Sequence, residues 1–271
     1  MQDLLITRFV KKHDYDRYLS TIFAPDQNRY DLNVLYAFNI EVARISENTS
    51  EILSSLLRIQ WWRDAIEEIY QGKIRDHFIS KPLFHIIHKY NLPKNLFDEL
   101  LVAREFDFYH EPPKDLNELK QYAIHTSFNL LLLSLKILGK SDFTEKFAQD
   151  FAIASCIIGN LRVTKFIPKT NRTIIFPQNY LKKQNLNQEE IFFPQNLPKI
   201  KEIVRELVSI SEELVICNFN KIERANKPIF LPLLGVKNVI KNIKKNGYDI
   251  LNKDIEPCRP AILLKMALSM L

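Results

Sequence analysis

The chain has 271 residues, of which 46% are hydrophobic and 26% charged. This apolar content excludes a disordered chain, and the length is enough to bury a substantial core. The formal charge of +6 is confined to residues 221–271, where ten Lys and Arg meet four Asp and Glu, while residues 1–220 balance 28 against 28. Cys156, Cys217 and Cys258 are odd in number and far apart, so they encode neither a disulfide framework nor a zinc ribbon, and a reducing compartment is expected. The opening run MQDLLITRFVKKHDYDRYL mixes acids with bases and does not read as a signal peptide. The most apolar runs, 130–135 and 151–158, fall well short of the roughly 20 residues that span a bilayer, so any membrane contact is expected to be peripheral.

Five glycines leave little material for hairpins, and apolar residues recur at three- and four-residue intervals nearly throughout. An all-α protein is expected. In chain order, a short N-terminal helix is followed by helix 32–47. From Ser50 onward Ile52, Leu56, Ile59, Trp62, Ile66 and Ile69 line one face, and Gly72 stands where such a helix stops. Helices are further predicted over 94–109, 115–138, 142–162, 198–222 and 233–246, with a short one near the C-terminus. Pro25, Pro82, Pro93, Pro112, Pro113 and the later prolines are read as falling between these stretches. Residues 168–197 are rich in Asn, Gln and Pro and read as a long irregular loop with one short helix at 178–183. Residues 223–232 read as a second irregular stretch. No internal repeat is visible, and residues 1–271 are taken as one helical domain.

The chain lacks a Gly-rich nucleotide fingerprint, a Walker loop, a His-Glu-x-x-His pair and a Gly-x-Ser-x-Gly elbow. His85 and His88 are spaced to share a helix face, but no acid or cysteine lies near them in sequence to complete a metal site. Glu47 and Glu51, and likewise Asp64 and Glu68, stand four apart. Facing carboxylates at that spacing hold metals in helical bundles, whereas the same spacing also describes a solvated face. In LLRIQWWRD, adjacent tryptophans point about 100° apart, so one can face the core while the other lies at its edge. Arg58 and Trp62 are spaced either for a cation–π pair or for ordinary core packing beside an arginine. In the basic tail, Val236, Val239, Ile240 and Ile243 form an apolar face with Lys237, Lys241, Lys244 and Lys245 largely outside it. This pattern fits a core-packed helix with a solvated lysine face, or one that docks on an anionic membrane. Only Phe230 and Tyr248 are aromatic in the tail, and no nucleic-acid module is present, so nucleic acid is not an expected partner.

The run YAFNIEVARISENTSEILSSLLRIQWWRDAIEEIYQG at 36–72, preceded by DYDRYLSTIFAP and Arg29, resembles the squalene/phytoene synthase family. The likeness continues through LLVAREFDFYHEPPKDLNELKQYAIHTSFNL, where a helix carrying Asp107 precedes a tyrosine-bearing helix. It extends to IGNLRVTKFIPKTNRTIIFP and to PIFLPLLGVKNVIKNIKKNGYDI, and so covers nearly the whole chain. The resemblance implies an isoprenoid-synthase-like helical bundle built for head-to-head condensation of prenyl diphosphates. Catalytic members carry two Asp-x-x-x-Asp motifs that hold Mg²⁺ against the substrate diphosphate. At the matching positions this chain has Ala43 and Glu47 in the first and, with Arg162 aligned to the family's arginine, Val163 and Ile167 in the second. No Asp or Glu occurs between Asp150 and Glu189 in any register.

One glutamate facing an apolar pair cannot clamp a diphosphate from both sides, because Mg²⁺ is held there by carboxylates plus phosphates. Loss of condensation is therefore expected, with no cofactor. A non-catalytic branch of the family shares this pattern and the Ala-Phe-Asn-x-Glu and Gln-Trp-Trp-Arg pieces, here at 37–41 and 60–63. That branch assists assembly of respiratory complex I, the NADH-quinone oxidoreductase, and the resemblance implies its subunits or assembly intermediates as partners. The expected location is the bacterial cytoplasm, free or peripheral on the inner membrane. Asn39, Glu41, Arg44, Glu47, Arg58, Trp62, Arg63, Asn160 and Arg162 are the candidates for a retained pocket or partner surface. Two alternatives stay open. One is an active prenyl transferase with Mg²⁺ relocated to Glu47, Glu51, Asp64 or Glu68. The other is an isoprenoid or lipid binder that never reacts its ligand.

Overall fold

A computed structural model describes residues 2–49, 51–109, 111–139, 145–169, 176–215 and 222–270. Its α-helices are α1 Gln2–His13, α2 Tyr15–Ile22, α3 Asp26–Ala43, α4 Ile52–Tyr70, α5 Ser80–Tyr90, α6 Lys94–Arg104, α7 Leu116–Ala123, α8 Asn129–Ile137, α9 Glu145–Val163, α10 Gln178–Lys183, α11 Leu197–Leu214, α12 Lys227–Phe230, α13 Pro232–Lys245 and α14 Arg259–Met270. No strand occurs among the described residues, and the all-α class expected from the spacing is what the chain adopts.

Two helices organise the core. α3 buries residues on every side, from Asn28 to Val42, and α1, α5, α6 and α8 pack around it. α9 is buried from Ala148 to Leu161 and packs against α11, α13 and the turn that joins α7 to α8. A helix buried all round lies inside a fold rather than on its surface. Two of the buried polar residues in the first turns of α3 are hydrogen-bonded to neighbouring elements. Asn28 donates to the Ile137 carbonyl at 2.7 Å, and Asp31 accepts from Tyr90 at 2.6 Å and Lys89 at 2.7 Å.

Several boundaries differ from the spacing-based expectation. α3 starts at Asp26 rather than 32, because its first turns bury hydrogen-bonded polar groups that an apolar period does not register. It stops at Ala43, with residues 44–47 in turns, so Glu47 and Glu51 do not share a helix face. α5 departs from the expectation that Pro82 falls between helices. Pro82 stands in the first turn, where its missing N–H costs nothing. Stretch 94–109 is an α-helix only to Arg104 and then tightens into a 3₁₀ turn, Glu105–Phe108. Stretch 115–138 is interrupted by a π-helical turn, Ile124–Phe128. The 178–183 helix is present as expected, and the end of the expected 198–222 helix, 216–221, lies outside the described residues along with Cys217 and 170–175.

α4 ends as its glycine suggested. Gly72 has φ of +81° and lets Lys73 N–H reach back to the Glu68 carbonyl at 2.8 Å. Along α4, Trp62 is buried against Phe38, Trp61 and His77, with ring centroids 5.0–5.2 Å away, and Trp61 sits at the edge. Arg58 is exposed and stacks on no ring among the described residues, because the Trp62 indole is already enclosed.

Candidate functional site

A cavity of about 500 Å³ opens between α3 and α9. α3 supplies Tyr36, Asn39, Ile40, Ala43 and Arg44, and α9 supplies Ala152, Ser155, Cys156, Gly159, Asn160 and Val163. Both sets recur three and four apart, so each is one face of its helix. The π-helical turn and the start of α8 add Thr126, Ser127, Leu130 and Leu131. A π turn shifts the residues after it relative to a regular helix, and such turns recur at functional sites.

Three charged groups structure the wall. On α6, Arg104 donates to the Tyr122 hydroxyl at 2.7 Å and to Asp107 at 3.3 Å, and Tyr122 donates to Asp107 at 2.9 Å. Burial pushes the Tyr122 phenol well above its ordinary value, with Arg104 pulling it partly back, so it stays a neutral donor. Burial likewise pushes the Cys156 thiol up to about 12, which makes it inert wall rather than a nucleophile. At the α1–α2 junction Asp14 caps α2 and pairs with Arg17. Near the opening, Arg162 donates to Asp16 and to Glu256, each at 2.7 Å, tying α9 to α2 and to the segment before α14.

Arg44 caps the end of α3, donating to Glu47 at 3.2 Å and contacting His13 Nε2 at 3.3 Å. Burial first, then Arg44 and Lys12, depress the His13 pKa. A neutral imidazole with its proton on Nδ1 accepts from the guanidinium at Nε2.

Among the candidates named from sequence, Asn39, Arg44, Asn160 and Arg162 meet at this cavity. Glu41 lies two residues from Asn39, about 200° round the helix, and does not line it. Its half-buried carboxyl is pushed up by burial, against the pull of Arg44 and Arg58. Glu47 stands behind Arg44. Trp62 belongs to the core, and Arg63 pairs with Glu105 at 2.5 Å. Asp64 and Glu68 share an outer face of α4, where both hold Arg75, at 3.4 and 2.8 Å. His85 and His88 are exposed on α5. Lys12, His13, Arg17, Arg104, Tyr122 and Arg259 also line the cavity and were not singled out from sequence. Apart from the Asp107 and tyrosine-helix segment of the resemblance, no local spacing marks them.

The metal expected of the family does not fit these residues. Ala43 and Val163 face the cavity with side chains that cannot bind a cation. Of the three acids that line the cavity, Asp16 and Glu256 share Arg162, and Asp14 pairs with Arg17. No group of three or more His, Cys, Asp or Glu among the described residues is placed to hold a metal ion.

Two long helices facing one another across a cavity inside an all-α bundle define an isoprenoid-synthase-type fold. The fold matches a squalene synthase from Alicyclobacillus acidocaldarius with a TM-score of 0.76 at 16% identity, covering 92% of this chain and 95% of that one. A dehydrosqualene synthase in complex with ligand matches with a TM-score of 0.74 at 13% identity, covering 98% and 95%. The squalene/phytoene synthase family model matches residues 10–261, and this chain belongs to that family. Among characterised relatives, a Dictyostelium discoideum protein named as a homolog of NADH dehydrogenase (ubiquinone) complex I assembly factor 6 is 28% identical over 95% of this chain and 74% of its own length. The Mus musculus and Homo sapiens proteins of that name are each 24% identical, over 93% and 91% of this chain and 77% and 75% of their own lengths.

Proposed function

We propose that this chain is a non-catalytic member of its family that assists the assembly of respiratory complex I through contacts with its subunits or assembly intermediates. The observation that carries this reading is that Ala43 on α3 and Val163 on α9 line one cavity, at positions that the resemblance matches to the family's carboxylates. A diphosphate leaving group needs its developing negative charge neutralised from both sides by metal, and these helices supply no ligands for it. The names of the relatives support the assembly role. Deletion of the gene is expected to deplete assembled complex I on a native gel, with restoration by the wild-type gene. Normal complex I in the deletion strain overturns the reading.

The alternative of a working prenyl transferase has a separate readout. Farnesyl or geranylgeranyl diphosphate with Mg²⁺ is expected to release no diphosphate in the presence of the purified protein. Release that Glu47→Gln abolishes would establish the alternative. Peripheral contact with an anionic membrane is part of the proposal, through the lysine face of α13. On that face Lys241 and Lys245 are exposed, Lys237 is half-buried, and Lys244 is paired with Glu212 at 2.8 Å. No described helix is long and apolar enough to cross a membrane.

A further inference from the structure

α4 lies at an edge of the bundle, with its main contacts to α6 and to the 3₁₀ turn Glu105–Phe108. Lys94 pairs with Glu67 at 3.1 Å and Arg63 with Glu105, so partners on α4 step back as α6 advances and the two helices run antiparallel. Between them is a groove of about 340 Å³, lined on α4 by Gln60, Asp64 and Glu67 and on α6 by Lys94, Asp98 and Val102. Leu53 and Leu57 continue the same stripe of α4 at three- and four-residue spacing. They are 66% and 65% exposed, more than any other large hydrophobic side chain among the described residues, and Val102 is 59% exposed. The stripe from Leu53 to Glu67 is about 21 Å long at the helical rise, apolar at one end and acidic at the other.

The charge of this face is opposite to that of the molecule. Residues 51–71 and 94–108 hold eight Asp and Glu against four Lys and Arg, on a chain of +6. Residues 227–248 and 257–271, which include α13 and α14, contain no acid at all. A cationic segment is therefore repelled from α13 and α14 and drawn to α4 and α6. Lys94 is shared by Glu67 and Asp98, and Arg75 is shared by Asp64 and Glu68. The side chains of Asp64, Glu67 and Asp98 stay 43%, 52% and 44% exposed, which leaves carboxylate oxygens free to accept further donors. No strand occurs among the described residues, so the groove offers no edge to which an extended segment can pair. A segment lying in it has to satisfy its own backbone groups, which a helix does.

We propose that the α4–α6 groove is a docking surface for an amphipathic helix of a protein partner, one whose apolar stripe leads into Lys or Arg at one end. Leu53, Leu57 and Val102 receive the stripe, and Asp64, Glu67 and Asp98 receive the cations. The inference rests on the assembly role for naming the partner as a complex I subunit or assembly intermediate.

The test is photo-cross-linking in growing cells, with benzoylphenylalanine in place of the exposed Gln60 and, as a control, in place of the exposed His88 on α5. Position 60 is expected to form an adduct with a complex I subunit or assembly intermediate, mapped by mass spectrometry to a helix with apolar residues three and four apart and Lys or Arg at one end. Position 88 is expected to form none. Leu53→Glu with Leu57→Glu, and separately Glu67→Lys with Asp98→Lys, should each reduce the position-60 adduct about tenfold. Both leucines are exposed, so the first double variant should keep its melting temperature within about 2 °C, which separates lost docking from lost folding. Four results overturn the proposal: no adduct at position 60, an adduct with a second copy of this chain or with a segment lacking that pattern, an equal yield at position 88, or a yield indifferent to either double variant. Normal complex I in the deletion strain overturns the assembly role alone, and the position-60 adduct still decides the groove.

Discussion

Asp107 is the residue on which the inner wall of the cavity most depends. It is 8% exposed and accepts from both Arg104 and Tyr122, so its removal leaves a largely buried guanidinium without its carboxylate. Breaking one side of such a pair is strongly destabilising, and Asp107→Ala is expected to cost about 3 kcal/mol in urea unfolding. Tyr122→Phe deletes one hydroxyl and leaves the ion pair, with an expected loss of about 1 kcal/mol. Equal losses in the two variants would contradict this ranking.

Two histidines contribute to the loss of stability on mild acidification. His77 is half-buried among Trp61, Trp62 and Phe78, and its Nδ1 accepts the Ile79 N–H at 3.3 Å, which only an unprotonated nitrogen can do. Burial lowers its pKa despite Asp76 nearby, and His13 is lowered as well. The unfolded chain, with ordinary values near 6.5, therefore binds protons more readily than the fold. Stability from this source is complete above pH 6.5 and is lost as pH falls from there through the depressed folded values. The melting temperature should drop between neutral and mildly acidic pH, and His77→Asn, which keeps an acceptor and removes the titration, should flatten that slope.

At the level of elements, α3 and α9 show how far periodicity reaches. Their three- and four-residue spacing is local, so the faces carrying Asn39 with Ala43, and Asn160 with Val163, are legible from the chain itself. That those faces meet is settled by the helices packed around them, α1, α5, α6 and α8 against α3 and α11 and α13 against α9. Gly159 is a weak point of α9, being a glycine in a helix interior with open space beside it. Gly159→Ala is expected to stabilise the fold by about 0.5–1 kcal/mol, because alanine loses less backbone entropy and meets no neighbour. A lower melting temperature in that variant would show that the cavity wall does not tolerate even a methyl group. α5 illustrates the opposite limit, since a proline is a breaker in a helix interior but neutral in the first turn, and the sequence alone does not say which it is.

Across the whole molecule, the basic tail is less uniform than its composition. Glu212 of α11 compensates Lys244, and Glu256 pairs with Arg162 of α9, so the excess is concentrated on residues such as Lys241 and Lys245. Flotation with vesicles containing anionic lipid should exceed that with neutral vesicles, and the Lys241→Glu, Lys245→Glu double variant should lose most of the difference. Flotation that ignores lipid charge would remove membrane docking from the proposed function without touching the assembly role.

Residue types and spacing determined by themselves that the chain is helical, which family it resembles, and that no Asp or Glu stands between Asp150 and Glu189. All of these depend on neighbours within a few turns or on identity at a single position. Only the tertiary structure decided that Arg162 is held by Asp16 and Glu256, 146 and 94 residues away, and that Arg104 reaches Tyr122. It also decided that Arg44, Lys12 and Arg259 converge on one cavity while Asp64 and Glu68 face away from it. The pairing of a charge depends on which distant helix is packed beside it, and helical periodicity sets only the direction in which that charge points.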